Sequence, residues 1–266
     1  MKERILSAIV MAIIFVPVLL IGGDLFSYFM AALSMIGLYE LLTIRETKKE
    51  FPFILKILAY VLVVFFSLRN ATSVEFITTA DYRVMAFIIF VFFMPMVFIN
   101  DNKKYNLNDA LFLTGSTLFI GLSFNLIIIT RNYDISYIIY LLLTTMITDT
   151  YAYFTGKLIG KTPLAKEISP NKTVEGTFGG LFMGTIVATI YYHVAINPEL
   201  SLIYLVPTTL ILATVGQIGD LVFSSIKRYY GKKDYSNLIP GHGGILDRFD
   251  SIIFVILASV IFFGII

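Results

Sequence analysis

Apolar residues run along this chain in long stretches separated by short polar breaks. Runs near the ~20 residues that a helix needs to cross a bilayer occur at 5–22, 25–44, 51–68, 84–99, 110–130, 135–156, 176–196, 200–223 and 244–266. They predict about nine transmembrane helices in an all-α, polytopic integral membrane protein. The fourth run is short and contains Pro95, and the last opens on polar residues, so counts of eight and ten stay open. No interval between runs can hold a soluble domain and no internal repeat is evident, which makes 1–266 a single membrane-embedded domain. Within it, 1–134 form a mainly apolar helical scaffold, where Glu40 is the one acidic residue well inside a run. Residues 135–266 gather acids, lysines and glycines at one set of helix ends.

Composition agrees: 58% of residues are hydrophobic and 14% charged, with a mean hydropathy of +0.85, far from soluble usage. The chain has no cysteine, which excludes disulfides and thiolate metal sites and leaves oxygen or imidazole ligands for any metal. A net charge of +2 argues against general nucleic-acid binding. Charge placement is more informative. With nine spans and a cytoplasmic N-terminus, every Lys and Arg except Arg69, Arg83 and Arg131 falls on the cytoplasmic side, as the positive-inside rule requires. The C-terminal FFGII then ends outside. The first run follows Lys2 and Arg4 but is too long for a signal peptide and lacks a small-x-small cleavage site, so it reads as a retained helix.

Candidate chemistry lies in the second half. Asp149 is about 14 residues into an inward-running span, roughly 21 Å at ~1.5 Å per residue, and shares a stripe with Tyr153 and Gly156. Gly156 and Gly160 permit close approach of a helix or ligand. Asp220, Ser224 and Lys227 form a second stripe, and Asp247, Asp250 and Ser251 open the last span. Intramembrane carboxylates are costly and mark function by default. The alternatives are an ion pair used for packing and, for Asp247 and Asp250, compensation of a helix dipole.

Carboxylates without Cys suit a hard cation such as Mg²⁺, which takes one or two of them along with water and substrate phosphates. Lys161, Lys166 and Lys172, with Lys227, Arg228, Lys232, Lys233 and Arg248, would surround a metal-bound polyphosphate, although single lysines there can equally set topology or meet headgroups. Gly241, Gly243 and Gly244 flank His242 before the last span, where backbone N–H groups could receive a phosphate. GKLIGKT is not a P-loop, because its glycines are too close and it follows a membrane helix. His193 reads as interfacial, and Glu40, near the cytoplasmic end of the second run, stays open between a structural role and a distant supporting role behind the site.

Ser224, Ile226, Lys227, Arg228, Lys233, Asp234, Pro240, His242, Gly243, Gly244, Asp247, Arg248 and Asp250 follow in order and spacing the signature of a known family. The chain resembles the phosphatidate cytidylyltransferases, or CDP-diacylglycerol synthases. DTYAYFTGKLIGK (149–161) and SPNKTVEGTFGG (169–180) are similar to that family too, so the motif resemblance covers 149–250.

The resemblance implies a transferase of phospholipid biosynthesis that moves the cytidylyl group of CTP to phosphatidate and releases pyrophosphate, with one Mg²⁺ ion or two. It assigns metal binding to Asp220 and Asp247, and places Lys227 and His242 with them as catalytic residues. Lys172, Lys227, Arg228, Lys233, Arg248, Gly243 and Gly244 would hold substrate phosphates. Asp149, Tyr153, Ser169, Asn171, Thr173, Glu175, Ser224, Asp234 and Asp250 would line the site. The implied setting is a homodimer in a bacterial inner membrane, its site facing the cytoplasm.

The rivals are weaker. A CDP-alcohol phosphotransferase needs a DG dipeptide that the chain lacks. A lipid kinase differs in which CTP phosphate reaches lipid. A transporter would place polar helix breaks near the midplane in both halves, whereas the polar groups here are one-sided.

Overall fold

The computed structural model describes residues 2–69, 82–99 and 101–262, with side chains from residue 5 onward. The charges of Lys2 and Arg4 and the terminal residues 263–266 of FFGII lie outside the described residues. Helices follow the apolar runs: α1 Lys2–Ile21, α2 Gly23–Glu46, α3 Phe53–Leu68, α4 Tyr82–Phe93, α5 Pro95–Phe98, α6 Leu107–Tyr133, α7 Ile135–Ile159, α8 Val174–Ala195, α9 Leu202–Tyr229 and α10 Leu246–Phe262. Pro95 splits the fourth run into α4 and α5, since it lacks the N–H that would continue the ladder. By length and composition, α2, α6, α7, α8 and α9 can each cross a membrane, and Ile5–Ile21, Phe53–Leu68 and Tyr82–Phe98 are shorter apolar helices.

One element departs from the all-α expectation. Between α7 and α8 the chain forms a hairpin, β1 Pro163–Ala165 antiparallel to β2 Ser169–Thr173, pairing Pro163 with Thr173 and Ala165 with Ser169 across an irregular register. Thr173 ends the strand and caps α8, its Oγ1 accepting from Gly176 N. Two short strands in a charged interhelical segment leave no apolar run, so periodicity cannot reveal them.

The chain divides into two compact units, Met1–Tyr133 with Asp234–Asp247, and Asp134–Lys233 with Arg248–Ile266; the division falls in the first turn of α10. In the first unit α2, α3 and α6 pack together around Phe26, Met30, Leu38, Leu42, Val63 and Phe124, all buried. Polar side chains there close helix ends. Asn125 donates to the carbonyls of Ser67 and Arg69 at the end of α3. Arg131 donates to those of Leu19 and Leu20 at the end of α1, each at 2.8 Å. Asn106 and Asp109 form a reciprocal capping box at the start of α6, and buried Asp109 also pairs with Arg45 and Lys49.

The second unit is built on α7 against α8. Gly176, Gly180 and Gly184 place three missing side chains on one face of α8. A Cβ at 176 would lie 2.6 Å from the Ala152 carbonyl oxygen, and one at 180 or 184 would collide with Thr148. Gly156 and Gly160 answer from α7, where a Cβ would meet Thr173. Small residues thus bring the two backbones together, the usual way for helices to associate where burial from water gives little drive. On α9, Gly219 does the same for Phe254 of α10.

Candidate active site

The second unit gathers members of the three expected stripes, while Asp247, which opens the third, belongs to the first unit. Asp220 on α9 meets Lys172 of β2, Oδ2 to Nζ 2.5 Å, each side chain about a quarter exposed at 26% and 27%. Ser224, one turn along α9, donates to Asp220 Oδ1 at 3.3 Å. Asp149 of α7 accepts from Ser251 Oγ of α10 at 3.4 Å, and Asp250 Oδ1 accepts from Ser251 N at 2.8 Å. Asp149 and Asp250 both feel the charge of Asp220; Lys172 acts on Asp149 and Lys227 on Asp250. The helix faces read as separate stripes therefore meet.

That cluster sets three carboxyl groups beside two ammonium groups, and the carboxyl oxygens are hard donors. Among the described residues no group of three or more His, Asp or Glu side chains could by itself hold a metal ion. Hard oxygen donors are the kind that a cation such as Mg²⁺ takes, with water and substrate phosphates completing its shell.

The basic residues have distinct positions. Lys227 is buried on α9. Arg228 ties the hairpin to the end of α9, donating to the Ile168 carbonyl at 3.2 Å and the Lys232 carbonyl at 2.8 Å. Lys233, Asp234 and Arg248 are exposed.

Several other expected residues have local work. Glu175 accepts from Lys161 N, Thr162 N and Thr162 Oγ1, fastening the chain before β1 to the start of α8. Ser169 and Asn171 lie on β2, Asn171 exposed. Tyr153 is exposed and lies edge-on to Phe154, ring centroids 5.7 Å apart.

The first unit holds the glycine-rich loop. Gly241 and Gly243 have φ of 74° and 82°, values at which a Cβ is strained. They turn the chain so that Gly243 N donates to Ile239 O at 3.1 Å. Asp247 Oδ2 accepts from Gly244 N at 2.8 Å and Tyr235 N at 2.9 Å. Glu40 of α2 completes the start of α10: its carboxylate accepts from Ile245 N and Leu246 N, each at 2.9 Å, and from Ser236 Oγ at 2.6 Å. The backbone amides of Gly243 and Gly244, which the sequence offered as part of a phosphate cradle, are thus engaged by the protein's own acceptors. Asp247 Oδ2 thus caps the start of α10.

His242 is held from α1, its Nδ1 2.7 Å from Ser7 Oγ, which also donates to the Pro240 carbonyl at 2.9 Å. A hydroxyl has one proton. With it on Pro240 O, Nδ1–H donates to Ser7 and Nε2 is the acceptor of the neutral ring.

The sequence marks Glu40 without choosing between its two readings and gives no sign of Ser7. The signal for Glu40 was an acid in an apolar run. A serine in an apolar helix is commonplace and carried no such signal.

Comparison with known proteins gives the family of the chain. A model of the cytidylyltransferase family matches residues 2–266. The phosphatidate cytidylyltransferase of Bacillus subtilis (strain 168) is 37% identical over 259 residues, covering 96% of this chain and 94% of that protein. Those of Staphylococcus haemolyticus (strain JCSC1435) and Staphylococcus aureus (strain COL) are 37% and 38% identical, each alignment covering 96% of both chains. Kinship thus runs through the apolar first half as well as the polar signature, and the chain belongs to the cytidylyltransferase family.

Proposed function

We propose that this chain is a phosphatidate cytidylyltransferase, an enzyme of phospholipid biosynthesis that converts CTP and phosphatidate to CDP-diacylglycerol and pyrophosphate. The observation that carries this reading is similarity over 96% of the chain to relatives bearing that name, with the polar signature from Ser224 to Asp250 intact. In the reaction, a phosphate oxygen of phosphatidate bonds to the α-phosphorus of CTP. The bond between the α-phosphorus and its bridging oxygen breaks, and the electron pair leaves with pyrophosphate. The nucleophile is already ionised at neutral pH, so the site needs no strong general base.

The barrier is then mainly the meeting of anionic groups, lowered by positioning and charge. Lys172 and Lys227 bring ammonium groups into the carboxylate cluster, and Lys172 can turn from Asp220 to a substrate phosphate. Lys233 and Arg248 add exposed positive charge. Arg228 fixes the hairpin that carries Lys172. His242, held through Nδ1, offers Nε2–H to a phosphate oxygen when protonated. Asp220 and Asp247 are the residues that would hold Mg²⁺, which supplies positive charge to the CTP phosphates when bound.

The same reading includes nine spans, a cytoplasmic N-terminus, an outer C-terminus, an inner-membrane location with the site facing the cytoplasm, and a homodimer. The one-sided placement of Lys and Arg supports the orientation.

The test is an assay of purified protein with phosphatidate and CTP labelled at the α- or γ-phosphate, with and without Mg²⁺. Label from the α-phosphate in lipid, with pyrophosphate released only when Mg²⁺ is present, is the expected result. Label from the γ-phosphate in lipid would mean a kinase and overturn the reading.

A further inference from the structure

Glu40 is 1% exposed and belongs to the apolar half of the chain, where an ionisable group is expensive. Its two oxygens take three donors from a segment about two hundred residues away in sequence: Ser236 Oγ and Ile245 N on Oε1, Leu246 N on Oε2. Asp247 takes the neighbouring amide of Gly244. Two carboxylates therefore share the first turn of α10, and the position of one limits the other. Gly244 belongs to the same arrangement, because a Cβ there would overlap the Glu40 carboxylate. Without Glu40, the amides of Ile245 and Leu246 become open donors two residues and one residue from Asp247, and they compete for the Asp247 carboxylate.

We propose that Glu40 is a positioning residue for the transfer site: by capping α10 it holds the Asp247 carboxylate in place and keeps the helix start closed to substrate phosphate. The inference rests on the proposed function for its catalytic readout. It goes beyond that reading by assigning a role to the N-terminal half of the chain.

The experiment compares purified full-length wild type, E40Q and E40D. It reads steady-state kinetics with CTP and phosphatidate, Mn²⁺ binding by electron paramagnetic resonance without substrates, and thermal unfolding. E40Q places an amide N–H₂ against a backbone N–H, whereas E40D keeps the charge with a shorter reach. For E40Q, kcat falls and Mn²⁺ binding weakens, by about 10- to 100-fold as is typical of groups that orient a metal ligand. KM for phosphatidate stays near wild type, and E40D recovers part of both losses.

A variant that loses only thermal stability, or that matches wild type in kcat and Mn²⁺ affinity, overturns the proposal. If E40Q does not fold, E40D carries the comparison under the same criteria. If wild type does not transfer cytidylyl groups, the functional reading fails, and weaker Mn²⁺ binding in E40Q still supports the positioning role. Wild type that neither transfers nor binds Mn²⁺ ends both.

Discussion

Asp247 has one carboxylate and two claims on it, a helix cap that the structure displays and a metal ligand that the family resemblance implies. Two substitutions separate them. Asp247→Asn keeps an oxygen for Gly244 N but removes the charge; Asp247→Ala removes both. Asp247→Asn should abolish Mg²⁺-dependent CDP-diacylglycerol formation with little change in thermal unfolding, while Asp247→Ala should lose a further ~0.5–2 kcal/mol of stability, the usual worth of a cap. Full activity in Asp247→Asn would refute the metal role.

Asp220→Asn is the companion test. Activity should fall by about 10²-fold or more while the protein still inserts and folds, measured by the same assay after purification. Lys172→Met should also lower activity, because it removes the ammonium paired with Asp220 and leaves that carboxylate facing the anionic CTP. Activity equal to wild type in that variant would place the phosphates elsewhere.

At the scale of the element, the seam between α7 and α8 decides where Asp149 and β2 stand. Gly180→Ala puts a methyl group against the Thr148 carbonyl oxygen and Ala152, and overpacking of this kind costs roughly 1–3 kcal/mol. Gly115→Ala on α6 is the matched control, since nothing lies within 4 Å of its Cβ position, and replacing a helical glycine there should gain about 0.5–1 kcal/mol. Thermal unfolding in detergent should move in opposite directions for the two variants. Gly156 and Gly160 were legible in the sequence as points of close approach; that their partner is Thr173 at the start of α8 was not. Spacing marks which residues share a face of one helix but never which helix comes to meet it. The hairpin was hidden for a related reason, being held by backbone pairs and caps that leave no apolar period.

At the scale of the whole molecule, apolar run length specifies a membrane protein and the distribution of Lys and Arg predicts its orientation, which the absence of native cysteine makes simple to test. Glu199→Cys, between α8 and α9, should react with a membrane-impermeant maleimide in intact cells. Lys166→Cys, in the hairpin turn, should react only once the membrane is opened. The reverse pattern would invert the topology and place the carboxylate cluster away from CTP.

The sequence alone determined the helical membrane class and the family, and comparison along the full chain bears the family out. Both are written along the chain: burial in lipid needs runs of a certain length, and the signature is a set of residue types at set spacings. Tertiary structure decided the partners. It joined Lys172 to Asp220, Ser7 to His242, and Glu40 to amides 205 and 206 residues away. A buried carboxylate must find donors wherever the fold brings them, and no local pattern records that meeting. Glu40, an isolated acid in an apolar run, became intelligible only beside the helix start that it caps.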